Sequence, residues 1–369
     1  MVDLNTQYNK IKPEIDQAMQ DVIESSAFIN GPHVKSFQKN LGNYLNAKHV
    51  VPCANGTDAL QIALMSLELK PGTEVITPDF TFISTVEVIK LLGLKPVLVD
   101  VDEDTFNISS EGVREAVTSN TGAIVPVHLF GQCADMSEIM KISEEKNIPV
   151  IEDVAQATGA DFYTDNSSIK AGMIGDIGCT SFFPSKNLGC YGDGGALYTN
   201  NDDLAQRIRA IANHGSNKKY YHDRVGVNSR LDTIQAAILD VKLTYLDNYN
   251  AARQWAAGFY DSELAGVKQI RLPKRNSYSS HIFHQYTIVL DDSLNRDDFK
   301  DYLNQKGVPS MVYYPVPIHL QKAFKDLGHS KSDFPVSERL SKSVLSLPMH
   351  TELDEEQLEK ITQTIKSYF

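Results

Sequence analysis

Long apolar runs, paired cysteines and a surplus of basic charge are all missing from this 369-residue chain. Its longest apolar stretches fall well short of the roughly 20 residues that a membrane-spanning helix requires. Cys53, Cys133, Cys179 and Cys190 stand without any CxxC spacing. That removes the usual zinc signature and any disulfide framework, and leaves reduced, buried thiols as the expectation. The formal net charge is −12, whereas nucleic acid or an anionic membrane calls for clustered Lys and Arg, so neither partner is expected. A locally basic pocket can still take a small anion. The N-terminal MVDLNTQYNKIKPEID has no apolar core flanked by basic residues; no secretion signal is expected, and the expected location is the cytoplasm. No period of about 20 to 50 residues recurs closely enough for a solenoid.

What is present suits a globular protein of roughly two domains. Ile15, Met19, Val22 and Ile23 fall at helical spacing over residues 13–24, and a turn at Gly31 and Pro32 leads into a second amphipathic helix. Strand, turn and helix then repeat: VVPC, ANGT and a helix over 58–67; VITP and a helix over 83–92; KPVLVDVD; GAIVPVHLFG and a helix over 136–146; PVIEDVAQ. Nearly continuous apolar strands alternating with helices predict an α/β fold with a mainly parallel sheet covered on both faces. Ligands of such sheets sit at the carboxyl ends of the strands. A long helical section runs from near Leu204 past Trp255, and the texture then changes to HIFHQYTIVL, DDFKDYLNQKG, SMVYYPVPI and a last helix, DEEQLEKITQTIKSYF. The expected division is a large domain over residues 1–246 and a smaller C-terminal α/β domain over 247–369.

The chemistry centres on CTSFFPSKNLGCYGDGGAL, residues 179–197. A lysine among Phe, Pro, Leu and Cys loses hydration of its ammonium form, which lowers its pKa and frees the amine as a nucleophile. Lys186 is thereby a candidate Schiff-base lysine; read alone, the stretch equally suits a surface lysine at a strand end. ANGT opens a helix whose first N–H groups lack internal partners, so Gly56, Thr57 and Asp58 could cradle a phosphate. A plain N-cap at Asn55 or Thr57 explains the same residues. Asp153 stands just beyond a buried strand, where a carboxylate needs a cation or several donors. A protonated pyridine nitrogen would serve, and so would ordinary helix capping. Glu152 points the other way by strand alternation and reads as structural, while Gln156 follows on the Asp153 loop. Ser181 offers a further phosphate donor, and Phe80 or Phe82 could stack on a flat ring.

Together CANGTDAL, IEDVAQ, TSFFPSKNLGCYGDGGAL and GVNSRLDTIQAAIL resemble the DegT/DnrJ/EryC1/StrS sugar-nucleotide aminotransferases, from about Leu4 to near the C-terminus. The resemblance implies the aspartate-aminotransferase fold (fold type I), pyridoxal 5'-phosphate as cofactor, and no metal. By position it implies that Lys186 bonds the cofactor and moves the proton, that Asp153 pairs with the pyridine nitrogen, and that Gln156 lies near the phenolic oxygen. It further implies Phe82 and Ala155 on the two ring faces, and Gly56, Thr57 and Ser181 at the phosphate. Asn228 would reach that phosphate from a partner subunit, which makes the active site a homodimer's. Relatives with histidine at the lysine position act as dehydratases, so Lys186 implies transamination.

GQCAD, HGSNKKYYHDRVGVNSRLDT and LSLPMH resemble the branch that aminates UDP-2-acetamido-2-deoxy-3-oxo-glucuronate, with L-glutamate as amino donor and surface polysaccharide as the destination. A carboxylate and a diphosphate want cations. Arg230, whose planar fork suits a carboxylate, is the expected substrate contact, while Lys218 and Lys219 read as a solvated loop. VYYPVPIH places Tyr313 where that branch commonly carries histidine; Tyr314 matches, and His319 is typical of the wider family. These three complete the expected substrate set with Arg230. The rival readings are amination of a 4-keto hexose and a non-catalytic regulator on the same fold.

Overall fold

The computed structural model describes every residue except Asn166. Three helices open the chain: α1 (Leu4–Lys10), α2 (Lys12–Ser25) and α3 (Pro32–Leu45). Both α2 and α3 begin with proline in the first turn, where its missing N–H costs nothing. Then follow β1 (His49–Cys53), α4 (Gly56–Ser66), β2 (Glu74–Pro78), α5 (Ser84–Leu91), β3 (Lys95–Val99), α6 (Ser110–Ala116) and β4 (Thr121–Ile124). After α7 (Met136–Lys146) and β5 (Ile151–Asp153) comes a small hairpin, β6 (Asp161–Tyr163) and β7 (Ser168–Lys170), and then β8 (Ile177–Ser181) and β9 (Gly195–Thr199). Helices α8 (Asp202–Ala212), α9 (Thr233–Leu243) and α10 (Leu246–Leu264) lead into the C-terminal part. That part holds β10 (Ile270–Arg271), β11 (Tyr286–Leu290), α11 (Arg296–Gln305), α12 (Pro335–Ser343), β12 (Val344–Leu347) and α13 (Glu355–Lys366).

Strands β1-β9-β8-β5 and β3-β2-β4 form two ladders. Parallel bridges Ile124–Val150 and Val127–Asp153 join them into one sheet. Its β5–β8, β2–β4 and β2–β3 pairings are parallel, as the alternation of elements predicts, but β9 runs antiparallel to both neighbours. The reason is local. Between Ser181 and Gly195 there is no crossover helix, and a parallel return needs one.

Successive strand residues serve opposite faces. Val50, Ile76, Ile124 and Val150 join one core with α3, α7 and α9, whereas Val51, Val75, Ala123 and Ile151 join another with α4, α5 and α8. A third core lies between the β10-β11-β12 sheet and α11 and α13. Helix α10 enters two of them: Leu246 belongs to the first, while Ala256, Ala257, Tyr260 and Leu264 belong to the third. The change of core thus falls inside a helix. All four cysteines are free and buried. Among the described residues no helix is long and apolar enough to cross a membrane, and no His/Cys/Asp/Glu group could hold a metal.

The loop after β8 is tied to the first core by Phe182, fully buried edge-to-face on Phe37 of α3 at 5.4 Å. Replacing Phe37 by Ala removes that support and leaves a cavity, and is expected to cost about 3–5 kcal/mol. A lowered urea midpoint checks it, and an unchanged midpoint contradicts it.

Candidate active site

The carboxyl ends of β2, β4, β5 and β8 open onto one cavity of about 620 Å³, a size that suits a small-molecule ligand. Lys186 lines it from the turn after β8, its backbone N–H donating to Phe183 O at 2.8 Å. The side chain is partly exposed to the cavity but otherwise crowded by protein. Burial lowers its pKa to about 8, opposed by the charge of Asp153. A lysine so placed is a free amine in a useful fraction near neutral pH.

Asp153 ends β5, and its buried carboxylate accepts from Ala155 N–H at 3.1 Å and from the Thr85 hydroxyl at 2.8 Å. Burial pushes this carboxyl up from its ordinary value, while those two donors and the Lys186 charge oppose the rise. Behind it Glu152 is fully buried and saturated: it accepts from the N–H groups of Gly172, Ile174 and Gly175 and from His128 Nε2. Because Ala134 N–H donates to His128 Nδ1 at 3.1 Å, the His128 proton facing Glu152 is on Nε2. Glu152 is a structural anchor, as strand alternation suggests.

At the ANGT turn the N-cap is observed, and two N–H groups stay free beside it. Asn55 caps α4, its side chain accepting from Asp58 N–H at 2.8 Å. The N–H groups of Gly56 and Thr57 have no protein acceptor among the described residues and face the cavity, where the helix dipole favours an anion. A Cβ at Gly56 would lie 2.6 Å from Ser181 Cβ, so only glycine lets α4 approach β8 this closely. The Thr57 hydroxyl meets that of Ser84 at 2.8 Å. Phe82 is 55% exposed and lines the cavity with Ala155, whereas Phe80 is buried beneath Tyr314 at a centroid distance of 5.9 Å. Gln156 accepts from Phe130 N–H at 2.8 Å and donates to the Tyr314 hydroxyl at 3.1 Å. Phe130, whose N–H Gln156 accepts, stands in the left-handed region at φ 57°, a strain of the kind that gathers at functional sites.

Tyr313 and Tyr314 line the cavity, and burial raises both phenols. Asn228 and Arg230 do not line this chain's own cavity; Asn228 is exposed on the segment bridged to Asn213. His319 needs correction as a substrate contact. It is 3% exposed, and both ring nitrogens are taken, Nδ1 by Asp79 at 2.7 Å and Nε2 by Glu338 at 3.3 Å. Lys218 and Lys219 lie over the rings of Tyr221 and Tyr220 on an exposed loop, as a solvated loop would have them. Sequence reasoning missed Ser84, Thr85, Asp193 and His284, which line the cavity or hold its acid. The Ser-Thr pair directly after the FTFI run was the available signal for the first two.

The residues fit a phosphorylated, protonated aromatic ring. A buried carboxylate has two neutral donors and no bonded cation, free helix N–H groups face the same space, and a lysine of lowered pKa lines it with them. That constellation suits pyridoxal phosphate, and similarity to known proteins makes the chain a pyridoxal-phosphate-dependent aminotransferase of fold type I. The profile of the DegT/DnrJ/EryC1/StrS aminotransferase family matches residues 9–366, and the chain belongs to that family. It is 46% identical to the UDP-2-acetamido-2-deoxy-3-oxo-D-glucuronate aminotransferase of Pseudomonas aeruginosa, over 96% of this chain and 95% of that one. It is 45% identical to a pleiotropic regulatory protein of Geobacillus stearothermophilus, over 100% of this chain and 98% of that one. Among solved structures, DesV of S. venezuelae in complex with a ketimine intermediate superposes with TM-score 0.95 at 35% identity, covering 100% of this chain and 97% of that one.

In cofactor-free protein, acylation of Lys186 followed by mass spectrometry should rise through a midpoint near pH 8. A midpoint at the value of an ordinary lysine, about 10.4, would contradict the desolvated placement.

Proposed function

We propose that this aminotransferase moves an amino group from L-glutamate to the keto carbon of a nucleotide-linked sugar, UDP-2-acetamido-2-deoxy-3-oxo-D-glucuronate, for surface polysaccharide such as lipopolysaccharide or O-antigen. The observation that carries the reading is the convergence of Lys186, Asp153 and the free end of α4 on one cavity. Bound pyridoxal phosphate supplies the electron sink through which the amino group passes from donor to acceptor.

The chain's own residues do the rest. Gly56 and Thr57 N–H groups, with the hydroxyls of Thr57 and Ser181, would hold the phosphate, and Asn228 of a second copy would complete that cradle. Asp153, fixed by Ala155 N–H and Thr85, would keep the ring nitrogen protonated. Phe82 and Ala155 would enclose the two ring faces. Gln156 has one Nε2 hydrogen left for the phenolic oxygen. The Lys186 amine, basic near neutral pH, would serve as acid and base in both half-reactions, taking a proton off the donor's carbon in the first and delivering one to the sugar's carbon in the second.

Lys186 is the one cation among the described residues that line the cavity. A sugar carboxylate therefore needs a cation from outside this chain's wall. Arg230 forms no ion pair among the described residues and is the group a second copy could bring; Tyr313 and Tyr314 offer hydroxyls on the sugar side. The similarity to a regulatory protein does not change the reading, which is supported by the presence of both Lys186 and Asp153 in the cavity lining.

Lys186→Ala should abolish both the absorbance of the lysine-linked cofactor and all turnover; retained turnover contradicts the reading. With wild-type protein and glutamate, mass spectrometry should find the amine of the 3-oxo-glucuronate nucleotide, whereas an amine formed only from a 4-keto hexose moves the substrate to that class. Mixing inactive Lys186→Ala with weakened Asn228→Ala subunits should restore activity toward a quarter of wild type, because one of the two sites in a mixed dimer is intact. No gain on mixing contradicts a shared site.

A further inference from the structure

His319, Asp79 and Glu338 form a buried cluster that the transamination chemistry does not use. Asp79 is fully buried directly after β2 and takes both the backbone N–H of His319, at 2.8 Å, and its Nδ1, at 2.7 Å. Asp79 O also accepts from Ile318 N–H at 3.0 Å. On the far side of the ring, Glu338 of α12 faces Nε2 at 3.3 Å. For both contacts to be hydrogen bonds, the three side chains must hold two protons between them. Helix α12 is itself fixed to the end of β3, where Asp100 accepts from Val336 and Ser337 N–H groups, each at 2.9 Å.

The cluster sits at both roots of the cavity's outer wall. Immediately after Asp79 come Phe80, which packs on Tyr314, and Thr81 and Phe82, which line the cavity. Between Tyr314 and His319 the chain reads Pro-Val-Pro-Ile, and two prolines with fixed φ leave little freedom to absorb a shift. At its other end Tyr314 is held by Gln156 Nε2 at 3.1 Å.

We propose that His319 is a positioning residue for the sugar side of the cavity: clamped between Asp79 and Glu338, it sets where Tyr313 and Tyr314 stand. The proposal rests on reading the cavity as a nucleotide-sugar site. His319 acts through the tyrosines and touches neither cofactor nor substrate.

The test compares His319→Ala and His319→Asn with wild type in two separated half-reactions. In His319→Ala, consumption of glutamate by the loaded enzyme should fall no more than about twofold, while KM for the keto sugar rises about tenfold or more. His319→Asn keeps a donor toward Asp79 and should recover part of that loss. A structural readout needs no sugar. In a crystal structure of His319→Ala, or of His319→Asn should the alanine variant not fold, the Tyr314 hydroxyl should lie beyond hydrogen-bond reach of Gln156 or the bond should be visibly lengthened. An unmoved Tyr314 with unchanged sugar KM overturns the proposal, as does an equal loss in both half-reactions. If wild-type protein consumes glutamate but aminates no keto sugar, the substrate reading fails, and the position of Tyr314 decides the clamp alone.

Discussion

A carboxylate buried without a bonded cation is the constraint around which this protein is arranged. Removing Asp153 from water costs roughly several kcal/mol, and the two neutral donors it does have each return about 1–3 kcal/mol. The Lys186 charge lining the same cavity offsets part of the remainder, and a cationic ring nitrogen beside the carboxylate would offset more. The strand that ends at Asp153, the helix that supplies Thr85 and the Glu152–His128 pair behind all fix the acid where it remains short of a partner. Lys186, which lines the same space, is only partly exposed and is desolvated in its turn. Each of the two groups is tuned by the other's charge and by a shared lack of solvent.

Much of this was legible in the residues. Period and composition placed the strands and helices of the large sheet, because a strand buried on both faces must read as an apolar run. The reversed β9 was not legible, since nothing in Gly195–Thr199 states its direction; the missing crossover helix before it does, and that is a statement about connection. Gly56, Thr57, Asp153, Ser181 and Lys186 line one cavity, and it was their combination that could be read, since Lys186, Asp153 and the ANGT turn each had an ordinary structural reading when taken alone. Thr85 and His284 did not, because a threonine in a helix and a histidine beside a strand are ordinary until the fold brings them to the cavity.

His319 shows where one-dimensional proximity misleads. It follows the cavity tyrosines by five residues and carries a side chain common in binding sites, yet it points into a pocket of acids. The separation between wall and anchor comes from β2 and α12, two segments remote in sequence that close on the ring from either side. A residue can thus belong to the machinery of a site without facing it.

The sharing of α10 between two hydrophobic cores has a thermodynamic corollary. Leu246 is committed to one and Tyr260 to the other along a single unbroken rod of hydrogen-bonded backbone. A shared helix of this kind gives the two cores a common hydrogen-bonded backbone through which loss of packing in one bears on the other. Severing the polypeptide within α10 would part residues of one core from those of the other along the same helix.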